Sequence, residues 1–248
     1  MPEDVPIRVG RAGWSLRKEH KKQFPEGDSH LARYSQRFPA VEINTSFKQD
    51  HQATTYARWA DTVPVDFKFA VKMTRQVTHE ARLEEPALLD DYLAGVTKLG
   101  DKLGPLLVQL PPSLAYDPET VQAFFSALRE RFDGQVACEP RHASWFDSQP
   151  EQSLADFEVA RVAADPAPAP GADQPGGWQG LIYYRLHGSP EMYYSSYSQD
   201  DLEDLIEKLK QHAQSKPTWC IFDNTASGAA TRNALWVLEH LQDSNQKG

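Results

Sequence analysis

Long apolar runs are missing from this 248-residue chain. No window approaches the roughly 18 consecutive apolar residues that a membrane-spanning helix needs, so no membrane association is expected. The opening MPEDVPIRVG carries acidic residues and no apolar stretch, the wrong pattern for a secretory signal. Basic residues are outnumbered, 26 Lys and Arg against 35 Asp and Glu, for a net charge of −9. That balance is poorly suited to holding a nucleic-acid backbone over a wide surface, so nucleic acid is disfavoured as a partner. Cysteine is scarce. Cys138 and Cys220 lie in strand-like segments, QVACEP and TWCIFDN, on the apolar phase. They read as buried free thiols in a reducing, cytoplasmic compartment.

Catalytic sequence motifs are absent as well. Neither G-x-G-x-x-G nor the P-loop pattern occurs, which disfavours a Rossmann cofactor site and a Walker-type nucleotide site. There is no G-x-S-x-G elbow, no H-E-x-x-H spacing around His51 or His79, and no solenoid repeat. No cofactor is therefore expected.

What the chain does contain is strand–helix alternation. Strand candidates are Ile7–Gly10, Ala40–Thr45, Phe67–Met73, Leu106–Leu110, Gln135–Glu139, Val159–Asp165, Leu181–His187 and Thr218–Asp223. Helical patterns cover His30–Phe38, Ala53–Asp61, Ala87–Leu99, Pro118–Phe132, Asp200–His212 and Ala229–Leu241, with a weaker one at Glu151–Phe157. Asp28-Ser29 and Asp117-Pro118 supply helix starts. Eight such units predict an α/β fold, a TIM-barrel-like (β/α)8 single domain over 1–248. The sixth helix is expected to be short or replaced by the Pro/Gly-rich loop 166–180, PAPAPGADQPGGWQG. An open doubly wound sheet is the alternative, because strand count alone does not close a barrel.

Successive strand side chains face opposite ways, so the alternation also sorts residues by face. The face opposite the apolar one collects Glu42, Asn44, Lys72, Gln109, Glu139, Arg141, Asp165, Arg185, His187 and Asp223 near carboxyl strand ends, where barrel active sites lie. Lys72, Arg141 and Arg185 are candidates to hold an anion, and Glu139, His187 and Asp223 to transfer protons. Glu42, Asn44, Gln109 and Asp165 would contact or orient substrate. Arg8, Lys68 and Arg161 lie deeper in the same phase and read as structural. A salt-bridged interior that only fixes strand register would need much the same charges. Glu139, Asp165, His187 and Asp223 are also hard-cation ligand types, so a divalent metal is kept as an alternative, against which three basic side chains weigh. The basic run Arg17–Lys22 in the first loop reads as a solvated stretch able to steer an anion. Trp14 and Trp145 flank the strand ends, where packing under a loop is the commoner fate.

Seven segments extend this reading. AGWS at Ala12–Ser15, VEINTSF at Val41–Phe47, FKFAVKMTRQVTHEARL at Phe67–Leu83, KLGDKLGPLLVQLPPS at Lys98–Ser113, EPRHASW at Glu139–Trp145, YYRLHG at Tyr183–Gly188 and FDNTASGAATRNA at Phe222–Ala234 run in order along the chain. Together they resemble the YecE-like family, domain of unknown function 72. The resemblance implies a TIM-barrel-like fold and no established activity. Lys48–His51, Leu16 and His20 depart from the family pattern, all on loops at the mouth of the expected barrel. The leading expectation is a cytoplasmic, cofactor-independent hydrolase, lyase or isomerase acting on a small anionic metabolite, phosphorylated or carboxylated, by proton transfer. The alternatives are a non-catalytic metabolite-binding or regulatory module, and a metal-dependent hydrolase or isomerase.

Overall fold

Apolar side chains at alternate positions make strands wherever one or both faces can be buried, and here they build two sheets. A computed structural model describes residues 6–245. The ends of the expected 1–248 domain, and half of the amino-terminal stretch read above as no export signal, lie outside the described residues. The strands are β1 (Ile7–Arg11), β2 (Ala40–Ile43), β3 (Lys68–Lys72), β4 (Leu103–Gln109), β5 (Val136–Glu139), β6 (Val159–Arg161), β7 (Ala163–Asp165), β8 (Gly176–Gly177), β9 (Ile182–Leu186) and β10 (Thr218–Phe222). One sheet has the order β1-β10-β9-β7, the other β2-β3-β4-β5-β6-β8. Every pairing is parallel except that of β6 with β8.

The helices are α1 (His30–Tyr34), α2 (Ala53–Thr62), α3 (Leu88–Val96), α4 (Pro118–Arg129), α5 (Ser148–Asp156), α6 (Gln199–Ala213) and α7 (Ala229–Asn245). Ser29 caps α1 by accepting from the Ala32 amide, and Asp117 caps α4 by accepting from that of Thr120. Two helices are shorter than their periodicity suggests. α1 stops well before Pro39, and α3 gives way to a 3-10 segment, Thr97–Lys102, in which Gly100 adopts φ 54°. Segment 166–180 holds turns and the two residues of β8, with no helix. The π-helical turn Gln76–Glu80 carried no sequence signal. Among the described residues, no helix is long and apolar enough to cross a membrane.

This mixed α/β fold is consistent with a TIM-barrel-like arrangement. Ladder pairing alone does not join the sheets into one ring. A single parallel bridge, Ala12 to Glu42, links the segment after β1 to β2, and only Val162 separates β6 from β7. The faces turned toward each other pack a small buried cluster that includes Ala40, Ala70, Leu107, Ala137, Ala160, Val162 and Ala164. Alanines leave room there for two large rings, Tyr183 and Trp219, stacked with centroids 6.1 Å apart. Trp219 lies so close to Gly104 that a Cβ there would come within 2.6 Å of its ring. The larger core lies on the opposite faces, under the helices, and contains Cys138 and Cys220, both free and buried. Apolar filling at one end of the strands leaves their carboxyl ends to hold the charges.

Gly10 sits at the seam between β1 and β2, where an added Cβ would run into the Ala40 carbonyl. Gly10→Ala is therefore expected to cost about 1–3 kcal/mol by overpacking, read as a lower urea midpoint at unchanged slope. An unaltered midpoint would show that the two strands can separate freely there.

Candidate functional site

Arg185 comes from the end of β9, on the same face as Tyr183 two residues earlier, and is 1% exposed. A bare guanidinium in such a place would be very costly, so its surroundings must supply acceptors. Three carboxylates do so. Nη2 donates to Glu42 Oε1 and to Asp223 Oδ2, each at 2.8 Å, and Nη1 donates to Glu139 Oε2 at 2.9 Å. Nε adds a contact to Glu42 Oε2 at 3.1 Å. Glu42 also accepts from the Tyr183 hydroxyl at 2.9 Å. One cation thus gathers acids from β2, from β5 and from the residue after β10.

His187 lies beside this group and is equally buried. Its Nε2 is 2.9 Å from Glu139 Oε1, while Nδ1 sits 3.3 Å from Asp223 Oδ2 without the alignment of a hydrogen bond. Arg141 donates to Glu139 Oε1 at 3.0 Å and remains partly open to solvent. Asn44 makes a long contact of 3.4 Å to Asp223, its Oδ1 unpartnered, and Gln109 turns back to donate to the Leu110 carbonyl at 2.6 Å.

Lys72 is the exception. It ends β3 on the inward face at 8% exposure, yet among the described residues no carboxylate lies within ion-pairing distance of its ammonium. Its Nζ instead stands 3.9 Å from the centroid of the Phe47 ring.

The electrostatics follow from these positions. Burial would raise the Glu139 carboxyl, but Arg185, His187 and Arg141 outweigh it and hold the group well below the usual range. Asp223 shows the same contest, with Arg185 and His187 prevailing over burial to lower it. Burial opposes the charge on Arg185 too, and Glu42, Asp223 and Glu139 reverse the outcome, raising it well above its ordinary value. For Lys72 burial wins: desolvation, with Arg185 adding repulsion, brings the amine down to about 8.

Three further side chains complete the site, and the alternation of the strands did not assign them to it. Tyr193 has φ 70°, a left-handed conformation that costs a non-glycine residue about 1–3 kcal/mol and collects at functional sites. Its ring stands edge-on to His187 at 5.7 Å and its side chain lies beside Arg141. His79, from the π-helical turn, stands edge-on to Phe47 at 4.8 Å and feels the charges of Lys72, Arg75 and Arg141. Tyr183 was visible in the strand phase. Tyr193 and His79 come from loops, where no periodicity marks a direction.

Nine of the ten predicted site residues sit at this end of the strands. Asp165 does not join them. The inward residues of its segment are Ala160, Val162 and Ala164, so Asp165 faces the helices and accepts from the Tyr197 hydroxyl at 2.6 Å. It lines a separate cavity of about 450 Å³ beside α6. Arg161 is likewise turned outward, paired with Glu151 and stacked over Phe146. The segment VARVAAD is small or apolar on both faces, so its alternation carries no usable phase. Trp145 is fully buried with Nε1 donating to the Leu114 carbonyl, and Trp14 packs on Trp59 and Phe69. Arg17 spends its guanidinium on the Thr225 and Ala226 carbonyls. No group of three or more His, Cys, Asp or Glu side chains disposed to hold a metal ion occurs among the described residues.

Comparison with known proteins places this geometry among relatives. The family model described as "Protein of unknown function DUF72" matches residues 8–248. The UPF0759 protein YunF of Bacillus subtilis (strain 168) is 27% identical, covering 95% of this chain and 94% of its own length. The UPF0759 protein YecE of Escherichia coli (strain K12) is 28% identical over 60% of this chain, which spans about half of that relative, 53% of its length. Among solved structures, a DUF72 family protein of Enterococcus faecalis V583 superposes with a TM-score of 0.76 at 24% identity, covering 96% of both chains. One from Thermotoga maritima MSB8 gives 0.74 at 24% identity, over 95% of this chain and 99% of that one. These structural likenesses support the fold.

Removing the shared cation should be severe. Arg185→Met leaves three buried carboxylates facing one another, and a loss of about 3–5 kcal/mol is expected in chemical denaturation; a loss below about 1 kcal/mol would contradict the geometry. Acid dependence follows from the lowered Glu139 and Asp223. Their contribution is complete above the ordinary carboxylate range and is lost as pH falls through their depressed folded values. Stability should therefore drop steeply below about pH 4, and Glu139→Gln should flatten that drop.

Proposed function

We propose that this chain, which belongs to the DUF72 family, is a barrel enzyme that binds a small phosphorylated or carboxylated metabolite at its carboxyl strand ends and acts on it by proton transfer. The bridge between Ala12 and Glu42 and the near-continuous run of β6 into β7 support reading the two sheets as one barrel and the chain as one domain. The free buried thiols Cys138 and Cys220 support a reducing, cytoplasmic setting.

The charge left over at the mouth carries the reading. Arg185 already engages Glu42, Glu139 and Asp223 through all three of its guanidinium nitrogens, which leaves none of them to a ligand. Anion binding therefore falls to Arg141, which keeps guanidinium nitrogens beyond its bond to Glu139, and to Lys72, which forms no ion pair among the described residues. His79 and Arg75 border the same place. An entering anion meets Arg141 and Lys72 first, above a floor whose three carboxylates are turned toward Arg185 and His187. Below it, His187 bridges toward Glu139 and Asp223, so a proton taken up from substrate by the imidazole would rest between two carboxylates. Arg185 becomes the group that fixes Glu139 and Asp223 in place, and Asn44 and Gln109 remain to orient substrate.

The test is a defined pool of phosphorylated and carboxylated metabolites incubated with purified protein and followed by NMR. At least one component should be consumed, with turnover lost in His187→Gln while that variant remains folded. Arg141→Gln should weaken binding by about tenfold or more, as expected for a lost charge-assisted hydrogen bond. Saturable, Arg141-dependent binding without product would make the protein a metabolite-binding module. No anion binding at all would end the proposal.

A further inference from the structure

Every other buried charge at the mouth has an opposite partner, and among the described residues Lys72 has none within ion-pairing distance. If the cluster served only to fix strand register, the cheapest arrangement would turn the Lys72 ammonium toward one of the carboxylates that already influence it, Glu139, Glu42 or Asp223. Those acids converge on Arg185 instead. Lys72 is left on an inward strand end whose backbone is pinned, because its carbonyl accepts from the buried Ser46 hydroxyl at 2.6 Å. Phe47 covers one side of the amine at 3.9 Å. A cation–π contact of this kind is worth about 0.5–2 kcal/mol, less than the several kcal/mol of an effective desolvation penalty. Such a position is poor for a structural ammonium and good for a neutral amine.

From this geometry we infer that Lys72 is a covalent nucleophile, and that the substrate is an aldehyde or ketone carrying a carboxylate or phosphate group. The inference rests on the anion site proposed above and gives Lys72 a different task within it. Arg141 holds the anionic group, while the uncharged Lys72 amine adds to the carbonyl carbon. The new N–C bond forms as the carbonyl π pair moves to oxygen. Transfer of one amine proton to that oxygen gives a carbinolamine, and departure of the oxygen as water, with the second amine proton, leaves an imine. No oxidant, reductant or cofactor enters this balance. An imine carbon next to a C–H bond makes that proton more acidic, and the inference gives its removal to His187, which bonds Glu139.

Burial acts on Lys72 in the direction the chemistry requires, and Arg185 adds to it. Arg185 repels the ammonium from below, and at the mouth His79 shares the field of Lys72, Arg75 and Arg141. Glu139, Glu42 and Asp223 oppose this, and burial tips the result so that the amine titrates near 8. At pH 8 about a hundredfold more of Lys72 is neutral than of an ordinary lysine.

Borohydride trapping tests the step with two named probes, pyruvate and dihydroxyacetone phosphate. Full-length protein is incubated with each at pH 8, reduced and mapped by peptide mass spectrometry. Expected is a saturable secondary-amine adduct at Lys72, about tenfold or more above the mean of the surface lysines. Lys72→Leu cannot form the adduct and leaves the acids to Arg185, so it should lose trapping, with a circular dichroism melt to confirm folding. Adduct spread evenly over surface lysines, or absent with both probes, overturns the inference. Phosphate binding that depends on Arg141 in the absence of any trapped adduct would leave the anion site standing and remove the imine. An adduct at Lys72 that Arg141→Gln leaves undiminished would do the reverse.

Discussion

The guanidinium of Arg185 is the point on which the carboxyl end of this fold depends. Glu42 and Glu139 reach it from the six-stranded sheet, while Asp223 and Arg185 itself belong to the four-stranded one. Among the described residues, backbone pairing links the sheets through one isolated bridge and the short step across Val162. The side chains supply the brace that the ladder lacks. A one-residue slip of β2 or β5 would turn Glu42 or Glu139 to the helix side and strand the cation without its acceptors. Buried ion networks are weak sources of net stability, since desolvation offsets much of the attraction. Their value here lies in allowing one register and penalising the others.

That constraint also settles which charges are free. Three acids and one base are used up in bracing, and His187 is held between two of those acids. What remains at the mouth is basic. The same set of residues can therefore look balanced in composition and still present basic groups at the opening, because the acids are drawn inward to Arg185. The net charge of the whole chain, −9, says nothing against such a local field. Tyr193 adds a second sign that this end is more than a brace. Its strained backbone φ of 70° holds a ring against His187 that no packing in the apolar core requires.

Much of this was legible in the sequence wherever a strand had one apolar and one polar face. Ala40 and Glu42, Ala70 and Lys72, Ala137 and Glu139, and Tyr183 and Arg185 share faces as alternation demands, and the interior cluster contains the first member of each pair. The phase failed in VARVAAD, where small residues on both sides left Asp165 and Arg161 without a direction. Residues on irregular backbone were not legible at all. His79 owes its place to a π-helical turn and Tyr193 to a left-handed residue, and neither leaves a periodic trace. Pairing choice was the other hidden variable. Sequence phase puts three bases and four acids in one bowl, but only distances reveal that Asp165 leaves it and that one base takes the other three.

The unequal sharing is itself informative. Arg185 and Lys72 are inward residues on strands of different sheets, and the three carboxylates influence both. A guanidinium offers a planar fork able to engage several oxygens at once, whereas an ammonium is a compact point charge that pays more heavily for lost water. Given one set of acids, the fork wins them, and the lysine beside it is pushed toward its neutral form. The result follows from the two side chains' geometry and hydration. An arginine at position 72 would compete for the same acids and loosen the brace; a leucine would leave it intact and remove the amine. Lys72 therefore contributes little that the fold needs, and its chemistry is what distinguishes it from a residue that would pack there more cheaply.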